Sequence, residues 1–225
     1  LSYIFVFSAK GQYTYVPMPT DSAWWRSRQY IPESGGRYQA YDQLLYTTGE
    51  DTLMHGVLYT KIFLRHYTWP VPVVAGKPPV IPVIADAPDC FCGGIREGGK
   101  VVYLIGVKPQ FNSCYSVSDS VEYQYYDFNL AAGDSLNNGL AGSEVLIGQV
   151  ISYIDTVLIG GALRKRYHTI HETTSYPDMI IEGIGSIRGP QPWPSPYYVD
   201  NDLLCFTSHN LSLIHISEPT RPERI

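Results

Sequence analysis

The stretch from Val145 to Gly189 limits the possible folds more than any other. It reads as a long apolar strand, a Gly160-Gly161 turn, a basic and aromatic return strand, and a short third strand, MII, closing in the glycine-rich corner EGIGSIRG. Paired glycines between two alternating runs mark a tight antiparallel hairpin, because they supply the positive backbone angles such a turn requires. A chain seeded in this way builds sheet, and the remaining composition agrees. There are 19 Tyr, 20 Gly and 17 Pro against only 16% charged residues. Tyrosine combines an apolar body with a polar tip and suits half-exposed sheet faces, while glycine and proline punctuate turns.

Further strands are predicted along the chain. Gln12 to Pro17 alternates as a short strand, and Met18 to Ser27 reads as a loop carrying Trp24 and Trp25. Adjacent tryptophans point to opposite sides if extended, so at most one faces the core. Arg37 to Tyr46 is an alternating strand, followed by a turn over Thr47 to Asp51 and a partner strand over Val57 to Arg65 whose more apolar side is Leu58, Thr60, Ile62 and Leu64. Residues 67–89 hold six prolines in an apolar background; without ladder donors this segment is an edge strand, a polyproline-like crossing or an insertion loop. A hairpin is expected around Glu97-Gly98-Gly99, a polar loop over Lys108 to Ser120, an aromatic strand over Val121 to Leu130, a last strand over Tyr197 to Ser208 centred on Leu203 to Phe206, and one helical turn within Asp134 to Ala141. The expectation is an all-β fold with little helix: an antiparallel meander of successive hairpins forming a curved or partly closed sheet, with residues 12–208 as one domain.

The formal charge of -5, with 16 basic side chains scattered along the chain and only one basic run, Arg164-Lys165-Arg166, leaves no footprint for a nucleic-acid backbone. No apolar run approaches the length of a bilayer-spanning helix. The first residues, LSYIFVFSAKGQ, read as the end of a secretory signal, residues 1–11, with Ala9 and Gly11 before Gln12; an ordinary first strand, Tyr3 to Phe7, is the competing reading. Cys90, Cys92, Cys114 and Cys205 suit structural thiols or a disulfide of unassigned pairing, and a Cys-x-Cys zinc half-site would need distant partners.

Catalytic patterns are weak. His168-Thr169-Ile170-His171-Glu172 has the wrong order for a helical zinc motif and follows a strand, so no metal site is expected. Ser186 lacks a nucleophile elbow, and Cys205 lies inside an apolar strand. The glycines at 98–99 lack the arrangement of a phosphate loop, and no cofactor motif is present. Asp155 and Glu182 are the candidate carboxylate pair for hydrolysis if their strands pair, although Glu182 also suits a role capping the glycine corner. Trp24, Trp25, Trp69 and Trp193 are the candidates for a carbohydrate or peptide surface, set against a packing role closing loops over the sheet.

The phrases YQAYDQLLYTTGEDTLMHGVLYTKIFLR, GGKVVYLIG, EYQYYDFNLAAGDSL, YIDTVLIGG, KRYHTI, IIEGIGSIRG and DNDLLCFTSHN occur in an order that resembles secreted proteins of gut Bacteroidetes, over about residues 12 to 208. The matching positions are Gly49, Asp51, Thr52, Gly56, Tyr59 and Lys61, then Asp127, Phe128, Gly133 and Asp134, then Glu182, Gly183 and Gly185. The resemblance implies an exported all-β protein, in many cases followed by a type IX sorting domain, and implies no activity. Residues 211–225, LSLIHISEPTRPERI, resemble a translated sequencing adapter, so 209–225 is read as a non-native tail. The functional expectation is an exported accessory, binding or surface-structural protein of the cell envelope or extracellular space with an unidentified ligand; the alternative is an extracellular hydrolase using Asp155 and Glu182.

Overall fold

The computed structural model describes residues 13–33, 37–68, 83–84, 89–106, 109–110, 113–114, 122–136, 149–171, 178–187, 200–208 and 211–215. Every regular element among them is a strand, and every pairing is antiparallel. The strands are β1 (Trp24–Glu33), β2 (Arg37–Met54), β3 (Val57–Thr68), β4 (Val83–Ile84), β5 (Cys90–Gly98), β6 (Val101–Ile105), β7 (Pro109–Gln110), β8 (Ser113–Cys114), β9 (Glu122–Asp127), β10 (Gln149–Ile159), β11 (Ala162–His171), β12 (Asp178–Ile181), β13 (Gly185–Ser186), β14 (Asp200–Ser208) and β15 (Leu211–His215).

The larger sheet runs β15-β14-β1-β2-β3-β5-β6-β9, with β4 also paired to β3, and curls strongly into a half-barrel. The smaller sheet, β10-β11-β12-β13, comes from the stretch that dominates the sequence. Its Gly160-Gly161 turn has φ of 60° and 78°, the mirror-image turn whose twist matches that of a hairpin. One buried cluster joins the two sheets: Trp25, Ile62, Ile95, Val102, Leu104, Tyr126 and Phe206 from the larger meet Ile151, Tyr167, Ile180 and Ile181 from the smaller, with Ile184 from the corner after β12.

Polar bonds cross the same junction. Trp25 Nε1 donates to the Ile184 carbonyl at 2.7 Å, Tyr167 OH to the Phe128 carbonyl at 2.8 Å, and the Ser186 N–H to Tyr126 OH at 2.9 Å. Each satisfies a group that would otherwise be buried without a partner, so the sheets are fixed in register as well as pressed together.

Several local expectations change. Trp24 to Ser27 is the start of β1 and not a loop, because both neighbours, β2 and β14, are supplied from elsewhere in the chain. Thr47 to Asp51 is a bulge inside β2, and the hairpin reverses at His55-Gly56, where φ is 50° and 79°. Of the strand expected over Gln12 to Pro17, residues 13–17 are described and join no ladder. Within 108–120, β7 and β8 form a small ribbon. Ser135, in the segment read as a helical turn, instead bridges to Val150; 137–141 lie outside the described residues. In the proline-rich segment, β4 pairs with the end of β3. Residues 1–12, including the signal-like start, and 69–82 lie outside the described residues. Leu211–His215 pairs with β14, and backbone pairing of this kind asks little of the sequence that is added to an edge.

Candidate ligand-binding face

Trp24 and Trp25 separate as extended neighbours must. Trp25 turns inward, is 2% exposed and packs on Phe206 with ring centroids 5.4 Å apart. Trp24 turns outward and is 47% exposed. Trp69 and Trp193 lie outside the described residues.

Register places Trp24 beside Tyr46, Tyr46 beside Phe63, and Phe63 beside Phe91, on four successive strands, β1, β2, β3 and β5. The successive ring centroids are 5.9, 5.5 and 6.0 Å apart. Tyr46 and Phe63 are nearly parallel, at 21°, and half-buried; the rings at the two ends are the open ones, Phe91 being 39% exposed. A row perpendicular to the strands advances by one strand spacing, about 4.8 Å, per ring. Cross-strand aromatic pairs stabilise a sheet, yet a sheet needs no run of four with both ends in water.

The row has a polar border. Arg65 donates through Nε and Nη2 to the Asp89 carboxylate, and its guanidinium lies 5.8 Å from the Tyr46 ring centroid. Tyr46 OH donates to Asp89 at 2.6 Å. Burial first, and then the hydrogen bond to Asp89, push the Tyr46 hydroxyl up to about 12, so it remains a donor. The hydrogen bonds from Arg65 hold the Asp89 carboxyl below its ordinary range. Aromatic surface therefore adjoins fixed donors and a carboxylate acceptor.

The carboxylate candidates sit apart in function. β11 lies between β10, which carries Asp155, and β12, which ends beside Glu182. Asp155 accepts from Arg166, with Nε at 2.7 Å, and lies 3.3 Å from His168 Nε2. Glu182 is fully buried and accepts from Tyr13 OH at 2.8 Å, the Val16 N–H at 2.8 Å and the Lys165 N–H at 2.9 Å. The glycine corner contributes none of these donors. The two acids have different hydrogen-bond partners, and each set holds its carboxyl group in place.

The hydrogen bonds of Arg166 hold the Asp155 carboxyl at about 2. A depressed folded value means that its stabilising contribution is present above the ordinary carboxylate range and is lost as pH falls through about 2. Carboxyl-carbon NMR should therefore give a midpoint near 2 for Asp155, moving toward about 4 in Arg166→Gln.

His168 stacks on the exposed Tyr153 ring, with centroids 3.9 Å apart. Ser186 is buried and donates to Asp178 at 2.8 Å, as befits a packed polar contact. Among the described residues, no group of three or more His, Cys, Asp or Glu side chains is placed to hold a metal ion. Also among them, no helix is long and apolar enough to cross a membrane.

Cys90 is disulfide-bonded, and Cys92 is a buried free thiol. Cys114 lies on β8, and Cys205 is half-buried on β14. Burial pushes the Cys92 thiol up to about 12, which removes thiolate at neutral pH. Iodoacetamide should leave Cys92 unmodified in the native protein and label it after unfolding, as read by peptide mass spectrometry.

Tyr46, Phe63 and Phe91 were not legible as a site. The apolar side of 57–65 drew attention to Ile62 and Leu64, which are core, while Phe63 lies between Lys61 and Arg65 on the side that reads as solvent. Pairing register was the missing signal, and two bulges obscure it. Comparison with protein-family models, curated proteins and solved structures finds no match.

Proposed function

We propose that this chain is an exported binding protein whose ligand is an extended carbohydrate, taken along the outer face of the curled sheet. The observation that carries the proposal is the row Trp24, Tyr46, Phe63 and Phe91, half-exposed at both ends and bordered by the Arg65–Asp89 pair. Sugar rings offer C–H faces that release water against aromatic surface and hydroxyls that need directed donors and acceptors. A row of rings at strand spacing offers repeated apolar contact, while Asp89 and Arg65 supply polar partners beside it.

Export is supported by the signal-like start, by the resemblance to secreted Bacteroidetes proteins and by the disulfide at Cys90, since such bonds persist in oxidising compartments. Binding is favoured over hydrolysis because Asp155 is engaged by Arg166 and Glu182 by the 13–16 segment, on opposite sides of β11.

Native gel electrophoresis through a panel of soluble neutral and acidic polysaccharides tests the reading. At least one polysaccharide should retard the protein, and Trp24→Ala should be retarded less while keeping the wild-type unfolding midpoint. Equal migration of both proteins in every gel would contradict it.

A further inference from the structure

Residues 13–18 lie in the seam between the two sheets and are held there in an unusual way. The segment belongs to no helix or sheet. Its Val16 N–H donates to Glu182 and its Met18 N–H to Glu97 Oε2, at 2.8 and 2.7 Å. Tyr13 OH donates to Glu182 at 2.8 Å and Tyr15 OH to Glu97 Oε1 at 2.7 Å. A lysine also attends each ring: Lys165 Nζ is 5.2 Å from the Tyr13 centroid, and Lys100 Nζ is 5.2 Å from that of Tyr15. Met18 enters the core, 5% exposed. At the corner, a Cβ on Gly183 would lie 2.8 Å from the Val16 carbonyl and 2.9 Å from that of Pro17, so the absence of a side chain there makes room for the segment.

This is a peptide site filled by the protein's own chain. Its walls come from both sheets, with Glu97 and Lys100 at the β5–β6 hairpin and Lys165, Glu182 and Gly183 on and after β11 and β12. The link from Met18 to β1 is short: Pro19, exposed Thr20, Asp21 and Ser22, then buried Ala23 anchored to Thr47. Ser22 has φ of +46°, a left-handed conformation that is strained for an L-residue. Pro17 and Pro19 favour an extended path through the same link. Short hinges under strain are where chains exchange identical elements.

We propose that the seam accepts residues 13–18 from a second copy of this chain as well as from its own, giving an exchanged dimer. All the bonds named above join the segment to the seam, so they form equally well in either connection, and opening the link removes the strain at Ser22. A short tether gives an effective concentration in the millimolar range, so the closed monomer dominates in dilute solution and exchange appears as the protein approaches ~1 mM.

Refolding the full chain at ~1 mM and at ~1 µM, followed by size exclusion with light scattering, tests the proposal. A dimer is expected after concentrated refolding only. Its fraction should fall on the order of tenfold in Ser22→Gly, where the left-handed conformation is free of strain. Tyr13→Phe with Tyr15→Phe should speed the return of the dimer to monomer on dilution, because the bonds that hold the segment are lost. A monomer under both conditions would overturn the proposal. So would a dimer whose amount is unchanged in Ser22→Gly and whose dissociation is unchanged in the tyrosine variant, since that dimer uses another surface.

Discussion

Glu182→Leu should lower stability by about 3–5 kcal/mol, the cost of removing one member of a buried, fully bonded charged group and stranding its partners. Tyr13 OH and the N–H groups of Val16 and Lys165 all donate to this carboxylate, which has no exposure to water. Buried Arg164 adds to the penalty: its Nη1 donates to the Glu182 backbone carbonyl, its Nε has no hydrogen-bond partner among the described residues, and the acid is the neighbouring charge that offsets its burial. Glu182→Gln should cost less, because one side-chain oxygen still accepts. Urea unfolding at neutral pH checks both, and a leucine variant within ~0.5 kcal/mol of wild type would show that the 13–16 segment does not depend on the acid.

Trp25→Ala should be comparably severe, about 3–5 kcal/mol, because it empties a large fully buried site between the sheets. The same change leaves the Ile184 carbonyl without its indole donor and Phe206 without its neighbour. Trp25→Phe should recover most of the packing and isolate the hydrogen bond, with a residual loss of about 1–3 kcal/mol. Outward-facing Trp24→Ala should be nearly silent in the same urea experiment. Such a contrast between adjacent tryptophans follows from their opposite faces on one strand.

Strands bounded by their own turns were the most readable part of the fold. Gly160-Gly161 announced the β10–β11 hairpin, and the glycines after Glu97 announced β5–β6. β1 was less readable at its start because Trp24-Trp25-Arg26-Ser27-Arg28 carries no two-residue alternation; its partners are set by β2 and by β14, about 180 residues downstream. The opposite error arose at Tyr13 to Pro17, where alternation suggested a strand although the polar groups are met by glutamate side chains. Periodicity reports which side of a segment is buried and says nothing about what satisfies its backbone.

Of the candidate site only Trp24 stood among the residues singled out, beside Trp25, Trp69 and Trp193, and the rule that adjacent extended side chains diverge does not say which of Trp24 and Trp25 turns outward. The companions of Trp24 depend on long-range register: Tyr46 and Phe63 meet only because β2 keeps pairing past its bulge, and Phe91 joins them only through a second bulge opposite Phe63. Asp155 and Glu182 were expected to converge if their strands paired; β11 lies between β10 and β12 instead, and that order and the partners of each acid depend on tertiary placement.

The central functional claim is that the aromatic row binds sugar, and affinity for the polysaccharide that most retards the wild-type protein tests it most directly. Calorimetric titration of wild type, Trp24→Ala and Phe91→Ala should show each variant weakened by about tenfold, equivalent to about 1.4 kcal/mol, with unfolding midpoints unchanged. Unaltered affinity in both variants would place the ligand elsewhere and contradict the account.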